Sequence, residues 1–170
     1  MGFPSDVLKI AQCLQNDIDY SGFSLPKKIV IFSSYDNLIT NKTLKKKTEK
    51  LYKDGHHARA VEEAYKLLDN LVKKKANLQN TNLTGAKLMQ MALSPSKPLL
   101  KLNEGISTSE QDEQSGYMQI LSGCMTGIRN PRAHETDWED TEQRALQLLV
   151  LANHLIERIN MSEQISADSL

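Results

Sequence analysis

Aromatic residues and cysteines are both scarce in this sequence. Aromatic side chains make up 5% of the 170 residues. This low content argues against an aromatic-lined ligand pocket and against a base-stacking surface of the RRM kind. The two cysteines, Cys13 and Cys124, lie far apart and show no CxxC spacing. We interpret them as buried free thiols, with a disulfide between them as the alternative.

Long apolar runs are also missing. No stretch approaches the roughly 18 apolar residues that span a bilayer. The segment from Met1 to Ile10 lacks the basic start and the apolar length of a signal peptide. The sequence therefore predicts a cytoplasmic protein without membrane contact. The four histidines have no Asp or Glu at ligand spacing, so we predict neither a metal site nor a cofactor.

Net charge is absent as well, but the two signs are unevenly distributed. Lys and Arg together number 21, as do Asp and Glu, which argues against a general DNA-coating protein. Basic residues dominate between positions 42 and 75, and acidic residues between 104 and 142. The two segments are either solvated helix faces or, for the basic one, a track that captures an RNA backbone through the runs at 45–47 and 73–75. The residues predicted to contact RNA are Arg132, Lys73, Lys74 and Lys75.

Apolar residues recur at helical spacing along most of the chain. This periodicity predicts helices over 5–20, 43–53, 56–76, 84–93, 109–129 and from Thr136 to Ile159. Asp54-Gly55 should end the second of these, because glycine readily takes the left-handed conformation found at helix ends. Prolines and Gly105 indicate an irregular loop over 94–107.

These helices define a predicted domain organisation. The length fits one compact domain, which we expect to be an all-α bundle of four to six helices over residues 43–160. We predict an N-terminal helical accessory segment over 1–42 and a disordered tail over 161–170. No internal repeat divides the bundle further.

Two local signals indicate where the helices around position 130 begin and end. Pro131 disfavours a helical conformation at Asn130, so the preceding helix should end near Arg129. Thr136 and Glu139 have the spacing of a capping box and predict that the last helix starts there. Its free backbone N–H groups would form an anion site close to His134.

The most informative segment is Gly127–Glu135, which contains Arg129, Asn130 and His134 at this predicted bend. Arginine can hold a phosphate, asparagine can add a neutral hydrogen bond, and histidine can move protons near neutral pH. These are the groups needed to cut a phosphodiester without metal, provided that Arg129 and His134 face one cleft. The alternative is structural, with Arg129 capping a helix and His134 filling a turn.

One histidine per chain cannot supply all of this chemistry. Attack by the 2′-OH of RNA needs a base and an acid, so two copies facing each other across a two-fold axis would complete the site. Gly116, Gly123 and Gly127 share a helix face, and each costs about 1 kcal/mol relative to alanine. Close approach of another helix would offset that cost, either within the bundle or from a partner subunit.

Arg129-Asn130 followed by His134, between helices of an α-bundle, resembles the signature of the HEPN superfamily. Further segments are similar to the small bacterial HEPN-like family labelled Ymh, and they spread over roughly 44–160: Asp54–His56, Lys87–Met89, Leu93–Pro95 and Asp112–Glu135.

The resemblance implies a HEPN-like bundle that dimerises through its motif face. It also implies a metal-independent endoribonuclease acting by 2′-OH transphosphorylation, in phage defence or as a toxin. Carried over by position, Arg129, Asn130 and His134 would be the catalytic set. The implied partners are RNA, a second copy, and an antitoxin or defence-system protein. The alternative function is a non-catalytic HEPN-like module that binds RNA or a nucleotide, or regulates a defence effector.

Overall fold

The computed structural model describes residues 34–165, which form a helical bundle. Its helices are α1 Ser34–Leu38, α2 Lys42–Lys53, α3 His57–Lys75, α4 Gly85–Leu93, α5 Thr108–Cys124, a π-helical segment Met125–Arg129, α6 Asn130–His134 and α7 Glu142–Met161. Two short strands, β1 Leu100–Lys101 and β2 Glu163–Gln164, pair antiparallel. Five of these helices have nine or more residues, so the predicted all-α bundle of four to six helices is confirmed. The helix predicted over 5–20 and Cys13 lie outside the described residues.

Helix α3 forms the centre of the core. Val61, Tyr65, Leu68 and Val72 follow its inner face and are fully buried. Burying a valine or leucine side chain stabilises a fold by about 1.5–3 kcal/mol. This face packs mainly against α7 and α2, while α4 packs against α5. The stripe that periodicity predicted is thus the centre of the bundle.

The bundle begins earlier than residue 43. Tyr35 and Ile39 are 1% exposed, and the Tyr35 hydroxyl lies 2.7 Å from Thr48 Oγ1 on α2. The Tyr35 ring also stacks on Tyr52, with 4.8 Å between the centroids. Residues 34–42 therefore belong to the bundle and not to an accessory segment. The five residues of α1 are too few to produce a readable apolar period.

Helix α2 ends as the sequence predicts. Gly55 takes a φ of +83°, and its N–H donates to the Tyr52 carbonyl at 3.1 Å. The next N–H, that of His56, donates to the Leu51 carbonyl at 2.8 Å. The left-handed glycine satisfies the last carbonyls of α2 and returns the chain into α3.

Helix α7 begins at Glu142 and not at Thr136. Thr141 is its N-cap and accepts a hydrogen bond from the Arg144 N–H at 3.3 Å. The predicted Thr136–Glu139 capping box is wrong, because the Asp140 side chain is drawn into the protein interior and holds the preceding residues in a loop. The anion site expected beside His134 is therefore also wrong, since the helix start lies eight residues further along.

The segment after α7 continues the fold. Ser162 is 6% exposed, β2 pairs with β1, and the Ile165 N–H donates to the Leu99 carbonyl at 3.0 Å. Residues 161–165 of the predicted disordered tail are therefore part of the bundle, and residues 166–170 lie outside the described part. The partner strand comes from the loop over 94–107, a pairing that local sequence cannot indicate.

That loop is held by one side chain of α5. The Gln114 amide donates to the carbonyls of Leu93 and Leu100, each at 3.0 Å, and accepts from the Leu102 N–H at 3.0 Å. Gln114 is 6% exposed, and these bonds compensate for its burial. The loop is thereby fixed at the position where β2 pairs. Within residues 34–165, no helix combines the length and the apolar character that crossing a membrane requires.

Candidate functional site

The predicted motif lies on a helix that continues through Pro131. The Asn130 N–H donates to the Met125 carbonyl, five residues back, which makes 125–129 a π-helical turn. In a regular α-helix the ring of Pro131 would clash with the Gly127 carbonyl. A wider π turn accommodates the proline, so α6 follows without a break. The predicted helix end at Arg129 is wrong for this reason.

Arg129 and His134 do not face one cleft within a chain. Five helical steps of about 100° leave their directions about 140° apart around the axis. His134 is exposed and lines a groove together with Arg59 and Trp138, but Arg129 is not part of that lining. Arg129 is half-buried, and its Nη1 donates to Asn130 Oδ1 at 3.3 Å. The expectation of a shared intrachain cleft is corrected accordingly.

Arg132 is a buried structural residue and not an RNA ligand. Its Nε and Nη2 donate to the two oxygens of Asp140 at 2.6 and 2.7 Å, and its Nη1 donates to the Ile128 carbonyl at 2.7 Å. The side chains of Arg132 and Asp140 are 1% and 0% exposed. The guanidinium is therefore fully engaged, and it ties α6 to the loop over 135–141.

The lysine run at the end of α3 is remote from the motif. Lys75 Nζ donates to the carbonyls of Ile159 and Asn160 at 2.7 and 2.6 Å, so it caps α7, and burial lowers its pKa. The start of α3 lies beside His134. Lys73 is 16 residues from that start, or about 24 Å along the helix. The structure does not bring Lys73, Lys74 and Lys75 together with Arg129, Asn130 and His134.

Two adjoining grooves lie on the side of the bundle that carries His134. The larger, of about 710 Å³, lies between the start of α3 and the loop over 136–140. The smaller, of about 310 Å³, includes His134 and shares four lining residues with the larger: Ala58, Arg59, Thr136 and Trp138. His56 and His57 also line the larger groove. Their position on the chain, just after the Gly55 helix stop, is the only sequence signal for this role.

The grooves carry both signs of charge. On one wall, Arg59 forms ion pairs with Glu62 and Glu63 of the same helix. Burial opposes ionisation of Glu62, but hydrogen bonds from Lys66 and Arg59 outweigh it and lower the pKa of this carboxyl. The opposite wall carries Asp137 and Glu139. Within residues 34–165, no group of three or more His, Cys, Asp or Glu side chains is arranged to hold a metal ion.

One face of α5 and its continuation is open. A Cβ added at Gly116, Gly123 or Gly127 would meet nothing within 4 Å. Ile120 lies between them at the same helical spacing and is 46% exposed. His134 lies seven residues beyond Gly127, about two helical turns further along, and we call Gly116, Ile120, Gly123, Gly127 and His134 the open stripe. Close packing inside the bundle, one of the two explanations for the glycines, is therefore wrong for the described part of the chain.

Comparison with known families gives one assignment. The sequence profile of the family described as "Protein of unknown function (Hypoth_ymh)" matches residues 40–159. This match covers more than two thirds of the 170 residues. The chain belongs to the Hypoth_ymh family. No curated protein and no solved structure matches it significantly.

The matched region of this Hypoth_ymh protein includes every element that builds the grooves and the open stripe. It extends from Thr40, just before α2, to Ile159 in the last turn of α7. The family segment is therefore the helical bundle itself, together with the residues of the motif.

Proposed function

We propose that this Hypoth_ymh protein is a HEPN-like, metal-independent endoribonuclease that acts as a homodimer in phage defence or as a toxin. Arg129, Asn130 and His134 of the two chains form a composite site. An antitoxin or another defence-system protein is the proposed regulatory partner. No cofactor takes part in the reaction.

The observation that carries this proposal is the open stripe ending at His134. Its glycines leave room for a second helix, and a two-fold axis would bring the same face of a second chain onto it. The two His134 side chains, exposed at the same end of each stripe, would then approach each other. One imidazole would act as the base and the other as the acid.

The divergence of Arg129 and His134 around one helix is a second argument for two chains. A single copy cannot direct both side chains at one phosphate. A facing copy can place its own Arg129 or His134 on the side that the first copy does not reach. The Arg129–Asn130 hydrogen bond is long at 3.3 Å, so exchanging it for a charge-assisted bond to phosphate is favourable. Arg129 would then stabilise the negative charge of the phosphorane.

The reaction follows from these roles. One His134 accepts the proton of the 2′-OH, and the 2′-oxygen forms a bond to phosphorus while the bond to the 5′-oxygen breaks. The second His134 donates a proton to that leaving oxygen. The products are a 2′,3′-cyclic phosphate and a 5′-OH end. Asn130 would orient the phosphate or the facing motif through its neutral amide.

Incubation of the purified protein with total RNA in EDTA tests this function. We expect cleavage with 2′,3′-cyclic phosphate ends, and its loss in Arg129→Ala and His134→Ala with unchanged helical content. His154→Ala is the matched control, because this exposed histidine on α7 contacts Tyr117 and not the motif. Dependence on magnesium, 3′-OH products, or equal loss in His154→Ala would refute the mechanism.

The acidic residues beside the motif favour a second candidate function. Glu135, Asp137 and Glu139 are exposed next to His134 and would repel a phosphate. These acids oppose a scissile phosphate at His134, whereas Arg129 points away from His134 around the helix. A non-catalytic module that binds RNA or a nucleotide through Arg129, or regulates a defence effector, is compatible with both observations. RNA binding that depends on Arg129, without any cleavage product, would select this alternative.

A further inference from the structure

A row of lysines occupies the outer face of α2. Lys42, Lys46, Lys47 and Lys50 are all exposed, and we call these four residues the α2 stripe. Two other lysines of the helix are engaged differently, since Lys45 and Lys53 form ion pairs with Asp36. Within the part of the chain that the structure describes, no ion pair involves any residue of the α2 stripe.

This arrangement works against the helix that carries it. Lys42, Lys46 and Lys50 follow each other at four-residue spacing, and like charges at that spacing each destabilise a helix by about 0.2–0.5 kcal/mol. The inner face of α2 offers no counter-charge, because Leu44, Thr48 and Tyr52 are buried there. A bound polyanion would remove the repulsion and gain counterion release.

The α2 stripe leads towards the grooves. Helix α2 runs from Lys42 to Lys53 and turns at Gly55 into the start of α3. Gly55 and His56 line the larger groove, which shares Arg59 and Trp138 with the groove of His134. The four lysines extend over about 12 Å of helix axis. A strand that follows the lysines towards the end of α2 would approach the side of the bundle on which the grooves and the proposed reactive histidine lie.

The chemistry of the surface favours RNA over a membrane. An amphipathic helix that binds a bilayer inserts an apolar face, whereas the apolar face of α2 is buried in the core. The 2′-oxygen, the phosphorus and the leaving oxygen must also align in the reaction. A flexible single strand reaches that alignment more readily than an A-form duplex does.

We propose that the α2 stripe binds the phosphate backbone of single-stranded RNA whose scissile bond lies at His134. The substrate is thus a strand long enough to contact both α2 and the grooves. This inference rests on the proposed function for the nature of the ligand. It replaces the predicted contacts at Lys73, Lys74 and Lys75 with contacts on the helix that adjoins the grooves.

Binding of a labelled, fully 2′-O-methylated RNA of about 20 nucleotides tests the inference. The variant carries four substitutions, Lys42→Gln, Lys46→Gln, Lys47→Gln and Lys50→Gln. Fluorescence anisotropy at several salt concentrations should show affinity lower by about tenfold or more. With about 0.7 counterions released per phosphate contact on a single strand, the slope of log K against log salt should flatten by about 3.

The matched control removes the same number of charges elsewhere on the bundle. Its substitutions are Lys73→Gln, Lys74→Gln, Lys87→Gln and Lys97→Gln, and it should keep wild-type affinity and slope. Equal weakening in the two variants would overturn the inference in favour of a net-charge effect. Circular dichroism verifies folding, and the double variant Lys46→Gln, Lys47→Gln replaces the quadruple one if the latter unfolds; its slope should flatten by about 1.4.

Competition identifies the ligand class. Unlabelled RNA should displace the probe, whereas poly-glutamate and phosphatidylserine vesicles should not. If either poly-glutamate or the vesicles displaced the probe as efficiently as RNA does, the RNA assignment would be refuted. The probe cannot be cleaved through a 2′-OH, so its binding is independent of nuclease activity. Failure of the total-RNA assay alone would reject the proposed function, and unchanged binding by the stripe variant alone would reject this inference.

Discussion

The guanidinium of Arg132 and the carboxylate of Asp140 meet in a bidentate ion pair that solvent does not reach. The two N···O distances are 2.6 and 2.7 Å, and the Arg132 guanidinium carbon also lies 5.5 Å from the centre of the Trp138 ring. The pair connects the end of α6 to the loop that precedes α7. It therefore determines both where α7 begins and how the turn that carries His134 is held.

Breaking this pair should be costly. Asp140→Ala leaves the Arg132 charge buried without its partner, so we expect a loss of about 3–5 kcal/mol in the free energy of unfolding. Glu113→Ala is the control, because it removes a half-exposed partner of Arg158 and should cost less than about 1 kcal/mol. Urea titration followed by circular dichroism measures both. Similar losses in the two variants would contradict the role assigned to Asp140.

Stability should fall in acid partly through Glu62. Its pKa is lowered in the folded state, so its contribution is complete above the unfolded pKa of about 4.3 and disappears as pH falls through the folded value. Glu62→Gln should be less stable than the wild type at neutral pH, and the difference should shrink below about pH 4. Denaturation at a series of pH values checks the sign. A difference that grows in acid would show that the ion pairs with Arg59 and Lys66 do not stabilise the fold.

Cys124 should be unreactive in the native protein. It is a free thiol, 5% exposed, and burial raises its pKa, which reduces the thiolate fraction that reacts with disulfide reagents. In a Cys13→Ser background, we expect Ellman's reagent to modify Cys124 only after denaturant is added. Rapid modification of the native protein would show that this part of the core opens easily.

Substitutions at the glycines of the open stripe should change association of the chains without unfolding them. No atom within 4 Å opposes a side chain at Gly123 or Gly127, so Gly123→Ala should stabilise the monomer by about 0.5–1 kcal/mol through helix propensity. Gly123→Leu and Gly127→Leu should stay folded but dissociate, since a branched side chain fills the space that a second helix needs. Sedimentation at tens of micromolar measures the oligomeric state.

Gln147→Leu is the matched control for association, because it adds the same side chain to an exposed position of α7. It should leave the dimer intact. A wild-type chain that stays monomeric yet cleaves RNA would refute the composite site. A loss of stability in Gly123→Leu would instead show that the stripe packs within its own chain.

Features that depend on neighbours along the chain could be predicted from the amino-acid sequence. The apolar period predicted α3, whose Val61 and Leu68 are fully buried, because burying one face of a helix requires that spacing. Gly55 ended α2 because its left-handed conformation is accessible to glycine at little cost. The sequence likewise showed the motif of Arg129, Asn130 and His134 and the similarity to the Ymh family.

Features that depend on a partner distant in sequence became visible once the helices were packed together. Arg132 and Lys75 have the sequence appearance of RNA ligands, but Asp140 and the α7 carbonyls occupy them. The start of α7 and the strand after α7 depend in the same way on contacts that no local pattern encodes. A charged side chain is available to a ligand only if the fold has not already paired it, and that pairing is decided when the helices pack.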